Sequence, residues 1–356
     1  MQLSQQTDKK FMLRVVSINP HTDPRWLAFV LAHEGATIFH HPNWIRVLET
    51  SYNFRSACLA CMRNEDIVGI LPLLEVRSWL TGKRAVCLPF SDTCVLLSED
   101  AEVENQLVSY CSHLLQQNQW KHVEIRGALT HPSLVPSNRF KTHTAELNAD
   151  SEKVFQKLRK SQVQRSINKS SRSGVTVERR QDLAAVKEFI RLNVLTRKKH
   201  GMPPQPDKFF LNFHENLILK NNGFVGVATY ENRIIAASVF LHFKNSVFYK
   251  YGASDEAFLK LRPNHLIMWD AVKWGCENGY RFFNFGRTGL DNEGLIEYKR
   301  GWGTIESDLV YYRMSGQGHA SQEETNGMVE RMKPIMRRLP TSALKTLGKF
   351  LYGHVG

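Results

Sequence analysis

What most constrains this chain is a pattern that occurs twice. Residues 59–78 read as a strand, an acidic turn at Arg63-Asn64-Glu65-Asp66, and a second strand, Ile67-Val68-Gly69-Ile70-Leu71-Pro72-Leu73-Leu74. Residues 226–245 repeat that order, with a turn at Tyr230-Glu231-Asn232-Arg233 followed by Ile234-Ile235-Ala236-Ala237-Ser238-Val239-Phe240. Polar turn residues between β-branched runs predict an antiparallel hairpin in each. A helix and a strand follow each hairpin. The first helix covers about residues 104–117, with Leu107, Cys111, Leu114 and Leu115 on one face, and leads into Trp120-Lys121-His122-Val123-Glu124-Ile125. The second starts at Pro263, places Leu266, Ile267, Trp269 and Val272 along its length, and ends at Gly279 before Tyr280-Arg281-Phe282-Phe283-Asn284-Phe285. A hairpin, helix and strand recurring about 160 residues apart predict a duplicated α/β unit.

Length agrees with duplication, because 356 residues exceed one ordinary core and suit two. Apolar residues make up 42% and charged residues 23%, a globular balance, and no run approaches the roughly 18 uncharged apolar residues of a membrane span. Met1 to Lys10 is polar and lacks the apolar core of a signal peptide, so the expected compartment is the cytoplasm. The six cysteines lie mostly in apolar runs and read as buried thiols. Cys58 and Cys61 have a C-x-x-C spacing with no second pair at zinc-ribbon distance, and the histidines form no ligand set, so no metal is expected. A net charge of +13 favours a polyanionic partner: tRNA, anionic lipid or a nucleotide sugar. Seven cations crowd residues 151–174 against Glu152 alone, which predicts either a phosphate-holding helix at the junction or a merely solvated face.

The segment from Tyr249 to Gly303 carries the most information. It contains Tyr249-Lys250-Tyr251-Gly252-Ala253-Ser254, then Asn284-Phe285-Gly286-Arg287-Thr288, Asn292-Glu293-Gly294-Leu295 and Tyr298-Lys299-Arg300-Gly301-Trp302-Gly303. This order resembles the C-terminal half of FemAB-type enzymes, including those associated with exopolysaccharide and exosortase clusters, where D-F-G-R-[ST], N-x-G-[LI] and [FY]-K-x-x-[WF]-G follow one another. Asn284 stands where that pattern usually has Asp. His41-Pro42-Asn43-Trp44, Leu88-Pro89-Phe90-Ser91-Asp92 and Thr196-Arg197-Lys198-Lys199-His200-Gly201-Met202-Pro203 resemble further motifs of the same family. The resemblance implies an α/β (α+β) fold of tandem GNAT-like domains, with mixed sheets and flanking helices. It also implies an amine acceptor on a peptidoglycan or polysaccharide precursor and an activated acyl or aminoacyl donor. On this reading residues 1–150 form the first unit, 151–174 a basic linking helix, 175–318 the second unit with the active site, and 323–356 a basic amphipathic helical tail.

Acyl transfer to an amine needs an acceptor for the amine's proton and positive charge where the carbonyl oxygen becomes an oxyanion. Lys299 is the candidate for that charge, with Tyr298 beside it as the second catalytic candidate; both lie in a motif bounded by Gly301 and Gly303, and the resemblance assigns this lysine to the transition state, against the alternative of a surface lysine. Arg287 emerges at the carboxyl end of a strand, where it can grip phosphate or carboxylate, or else pair with Glu293 or Glu297. Asn292, Arg197, Lys198, Asp92 and Trp44 complete the candidate substrate residues, each with a structural alternative as turn, loop charge or core. Acyl-CoA-using GNAT domains carry [RQ]-x-x-G-x-[GA] before the helix that binds pyrophosphate. Here Phe258-Leu259-Lys260-Leu261-Arg262-Pro263-Asn264 has no glycine, which favours aminoacyl-tRNA or another carrier over acyl-CoA without excluding the latter, and no tightly bound cofactor is expected. The alternatives are a small-molecule N-acetyltransferase using acyl-CoA and a non-catalytic tRNA- or lipid-binding module. In the tail, Met332, Ile335, Met336, Leu339, Leu344, Leu347, Phe350 and Leu351 alternate with cations at helical spacing. That pattern fits either peripheral contact with an anionic membrane or packing on the body.

Overall fold

The computed structural model describes residues 12–129, 131–315 and 332–354; Met1 to Lys10, and the part of the expected tail before residue 332, lie outside the described residues. The first unit opens with β1 (Leu13–Ser17), α1 (Pro24–Ala32), α2 (Pro42–Tyr52) and the short β2 (Arg55–Ser56). Its predicted hairpin forms from β3 (Leu59–Arg63) and β4 (Asp66–Leu71), turned by Asn64 in a left-handed backbone, φ 57°. A second hairpin, β5 (Leu74–Ser78) and β6 (Gly82–Val86), follows; then come β7 (Leu97–Ser98), α3 (Ala101–Gln117), β8 (His122–Arg126) and β9 (Val135–Glu146).

The basic stretch is not one linking helix. It is α4 (Ser151–Lys157), a π-helical turn at Lys160–Gln164 and α5 (Arg165–Arg172), broken where Leu158 leaves helical geometry. Its sparse apolar residues, Val154, Leu158, Val163 and Ile167, are buried in one core with Ile267, Met268, Phe285 and Trp302. Residues 151–174 are therefore a wall of the second unit. The unit continues through β10 (Thr176–Arg180), α6 (Leu183–Lys199), α7 (Asp207–Phe213) and the second predicted hairpin, β11 (Gly223–Tyr230) and β12 (Arg233–Phe243). It ends with β13 (Ser246–Ser254), α8 (Pro263–Glu277), β14 (Phe282–Gly289), α9 (Glu293–Arg300) and β15 (Ile305–Ser315).

The described strands form two sheets, a small one ordered β1-β3-β4-β7 and a long one ordered β10-β11-β12-β13-β14-β9-β15-β8-β6-β5-β2. The long sheet runs through both halves because they exchange strands. β9, from the first half, lies between β14 and β15, and β15, from the second, pairs with β8. A boundary at residue 150 thus divides the chain but not the sheet. Each half also contains a parallel pair that parts company. β13 and β14 are in register only over Ser246–Phe248 and Phe282–Asn284. β6 and β8 meet only at Ala85–Val86 and Val123–Glu124, and there the chain itself closes the gap, with Cys94 bridging to Arg126. The gap between β13 and β14 is left for other groups.

The tail is structural over its described part. In α10 (Thr341–Leu351), Leu344 is fully buried, and Gly348 lies so close to the Pro204 carbonyl that any Cβ would collide with it. Lys345 pairs with Asp207 at 2.6 Å, and Tyr352 accepts from Arg197 and donates to the Pro203 carbonyl. Of the two readings of the apolar stripe, packing on the body holds for its central residues, Met336 and Leu344, while Ile335 and Phe350 stay exposed; a helix buries its apolar face where a protein surface is available.

Candidate active site

Local sequence sets the position of Lys299. Asn292 caps α9, its side-chain oxygen accepting from the Leu295 amide at 3.1 Å, so it is an exposed structural residue whose acceptor is already engaged. Three residues apart on the inner face, Ile296 and Lys299 are buried, and Lys299 keeps only 3% of its surface. Its ammonium donates to the carbonyls of Gly286 (2.9 Å) and Arg287 (3.1 Å). Those carbonyls are presented by a bulge in β14, where Gly286 takes φ +72°. Asn284 stabilises the bulge by accepting from the Gly286 amide at 2.8 Å, a task its amide oxygen performs as an Asp carboxylate would. Burial pulls the Lys299 pKa down to about 8, with Asp92 acting in the opposite direction. Tyr298, its neighbour in sequence, points elsewhere. It packs on His265 and Trp302, and burial raises its phenol pKa well beyond the ordinary range, so it stays protonated.

Asp92 and Arg287 meet across the two halves. The Arg287 guanidinium donates to the Tyr311 hydroxyl at 2.6 Å, lies over the rings of Phe140 and Tyr311, and comes to 4.0 Å from the Asp92 carboxylate. Neither Glu293 nor Glu297 pairs with it; Glu297 is held by Arg159 and Arg300. Two members of the cluster escaped the sequence reading. Tyr311 donates to the Asp92 backbone carbonyl at 2.6 Å. Lys250, its side chain 4% exposed, donates to the Phe90 carbonyl at 2.8 Å and to the Asp92 carboxylate at 3.2 Å. Its ammonium sits among the rings of Phe39, Trp44 and Tyr251, and burial lowers its pKa although Asp92 opposes the shift. The one available signal was a lone cation in an otherwise apolar and aromatic strand, Val247-Phe248-Tyr249-Lys250-Tyr251.

The loop carrying Asp92 is strained. Leu88 and Phe90 both adopt left-handed backbones, φ 49° and 61°, which cost roughly 1–3 kcal/mol each and persist only where surroundings enforce them. Arg126 donates to the carbonyls of Leu88 and Ser91, and the Trp44 indole N–H donates to the Ser91 hydroxyl at 2.8 Å. Trp44 is fully buried, so it supports the loop and Lys250 without reaching a substrate. Arg197 and Lys198 also lie away from Lys299. They end α6, where Arg197 is bound to Tyr352. Beside them is a cavity of about 250 Å³ lined by Thr196, Tyr249, Gly252, Ser254 and Asn264, and the buried Asn264 carbonyl oxygen has no partner there. Lys250, Arg287 and Lys299 thus surround a single carboxylate, Asp92, at the parting of β13 and β14. Such a centre has excess positive charge and suits an anionic or oxyanionic ligand.

Residues 156–300 match the acetyltransferase (GNAT) domain family. The chain has the tandem GNAT fold. Its arrangement is similar to that of FemX. FemX superposes with a TM-score of 0.65 at 14% identity, over 89% of this chain and all of FemX. A tandem GNAT protein from the clavulanic acid biosynthesis pathway gives 0.54 at 12% identity, over 86% of this chain and all of that one. Sequence relatives include the lipid II:glycine glycyltransferase of Staphylococcus epidermidis, 26% identical over 115 residues, which are 30% of this chain and 26% of that protein. The same enzyme of Staphylococcus haemolyticus is 32% identical over 93 residues, 24% of this chain and 22% of that protein. The chain therefore spans about a quarter of the length of these curated relatives.

Proposed function

We propose that this chain transfers an acyl or aminoacyl group to an amine of a cell-envelope precursor, of peptidoglycan or polysaccharide type, with Lys299 stabilising the oxyanion. One observation carries the reading. An ammonium has three N–H donors, and the two that Lys299 gives to Gly286 and Arg287 fix its position and leave the third for a developing oxyanion. In a buried site such a preset charge needs no reorganisation as the tetrahedral intermediate forms, which is where it stabilises most. Arg287 and Lys250 add positive charge suited to a phosphorylated or carboxylated acceptor, and Asp92 is the carboxylate within reach of an incoming amine.

Aminoacyl-tRNA is the donor we favour. A pyrophosphate cradle needs free backbone N–H groups at the start of α8. Here a 3₁₀ turn, Glu256–Leu261, leads into Pro263, which has no N–H, and the His265 amide is already bonded to the Arg262 carbonyl. The exposed cations Lys157, Lys160, Arg165, Lys169 and Arg172 have no acidic partner among the described residues and offer a surface for tRNA phosphates. The name of the matched domain keeps acyl-CoA as the second reading, and calorimetry with CoA separates the two. The cytoplasm is the compartment we favour, a reading that the six buried free cysteines support because they suit a reducing compartment; among the described residues no helix is long and apolar enough to cross a membrane.

Mass spectrometry of envelope precursors from cells with and without the protein tests the proposal. The expected result is an acyl or aminoacyl mass difference that wild type restores and Lys299→Ala does not, turnover falling by about two orders of magnitude or more. Lys299→Arg should restore it only in part, because the wider guanidinium places its charge differently. Equal rescue by Lys299→Ala would remove the lysine from the mechanism.

A further inference from the structure

The turn of the β5–β6 hairpin exposes large apolar side chains on a fixed support. Trp79 is 75% exposed and Leu80 56%. The tip is nonetheless held firmly. The Ser78 hydroxyl accepts from the amides of Leu80 (3.1 Å) and Thr81 (2.9 Å). Arg84 donates to the Thr81 hydroxyl at 2.6 Å and to the His354 carbonyl at 3.0 Å, joining the hairpin to the end of the tail. Phe350, on the outer face of α10 and 52% exposed, lies 6.0 Å from the Trp79 ring. These three residues make one patch from two distant segments. An exposed tryptophan on an anchored turn is a costly arrangement in water and a favourable one at a lipid interface, where an indole reaches apolar chains and polar headgroups together.

Charge around the patch selects the kind of surface. The two segments that build it, residues 74–86 and 341–354, contain five cations, Arg77, Lys83, Arg84, Lys345 and Lys349, and one carboxylate, Glu75. Glu75 is buried and already held by Arg77 and Lys83, and Arg77 still exposes half its side chain. Lys349 is exposed beside Phe350, with no ion pair among the described residues. We propose that Trp79, Leu80 and Phe350 insert into the headgroup region of an anionic lipid surface, with Arg77 and Lys349 against its phosphates. The bound face then adjoins the reactive centre, because two residues beyond Phe350 the Tyr352 ring packs on Phe90 at 5.7 Å, in the loop that carries Asp92. This docking goes beyond the acyl-transfer reading and needs neither donor nor acceptor.

Flotation of the full chain with vesicles tests it, using equal parts phosphatidylglycerol and phosphatidylcholine in one arm and phosphatidylcholine alone in the other. Wild type should float with the anionic vesicles, less so as salt rises and hardly at all with the neutral ones. Trp79→Ser/Leu80→Ser/Phe350→Ser should lower the bound fraction at least about tenfold while melting as wild type does, since all three side chains are exposed. If that variant is unstable, Trp79→Phe replaces it: loss of a brominated-lipid quenching signal seen in wild type places the indole in the bilayer, and no difference in quenching overturns the proposal. Equal flotation of wild type and triple variant also overturns it, as does failure of wild type to float. So would a dimer, seen by light scattering, that the triple variant dissolves without any flotation, because the patch would then join two copies.

Discussion

Lys299 is charged at some cost to the fold, and that cost can be measured without knowing the substrate. Burial lowers its pKa from 10.5 to about 8, a difference equivalent to roughly 3 kcal/mol at neutral pH. Lys299→Met keeps the stem and removes the charge. It also deprives the Gly286 and Arg287 carbonyls of a donor, at about 1 kcal/mol each. At pH 7 the variant should therefore be as stable as wild type or about 1 kcal/mol more stable. The sign of the pH dependence follows from proton counting. Between pH 8 and 10.5 the unfolded chain holds a proton on this lysine that the folded one has lost, so wild-type stability gains with rising pH and the variant has no such gain. The variant's advantage should fall by about 2–3 kcal/mol between pH 7 and pH 10, turning into a deficit. Urea unfolding of both proteins at each pH measures it, and titrations common to the two cancel in the difference. A difference constant across that range would mean that Lys299 is solvated in solution and not a preset charge, which would also remove the basis for its part in oxyanion stabilisation.

Asn292→Ala should lower stability by about 1 kcal/mol in urea unfolding, and Asn292→Asp should not, because only the first loses the α9 cap. Gly286→Ala should cost at least about 1 kcal/mol in thermal melts, since φ +72° disfavours a side chain and its Cβ would come within 3.3 Å of the Asp92 carboxylate. Neutralising Lys157, Lys160 and Arg165 together should weaken binding to bulk tRNA and flatten its dependence on salt. An unchanged affinity and salt slope would make α4 and α5 a solvated wall.

Much of the local architecture was legible because it rests on short-range rules. Hairpin turns are marked by residues that accept left-handed backbones, as at Asn64 and Asn232, and α8 by Pro263 in its first turn and Gly279 beyond its end. The strand exchange left no such mark. Pairing Arg126 with Tyr311 and Ala145 with Phe283 has no local period, so a boundary drawn along the chain could not anticipate a sheet drawn across it. The cationic cluster around Asp92 was half legible for the same reason. Lys299 and Arg287 sit in one ordered motif, whereas Lys250 matters through groups some 160 residues away, Phe90 and Asp92, and Tyr311 through another distant pairing. Trp44 shows the converse. Its motif lies against the cluster, but the residue itself is buried and supports the loop from behind.

The exchanged strands also set a schedule for synthesis. When β8 leaves the ribosome, β6 and Cys94 already stand on one side of it, but the strand that pairs with its other edge is still about 185 residues from being made, since Arg126 pairs there with Tyr311. At roughly 5–20 residues per second the nascent first half waits on the order of 10–40 s with an open sheet edge. Such an edge is a template for the wrong partner, including the same strand of a neighbouring chain on the polysome. Folding of this protein is thus completed from its last strand, and a ribosome stalled before residue 305 would release two halves that each lack a strand.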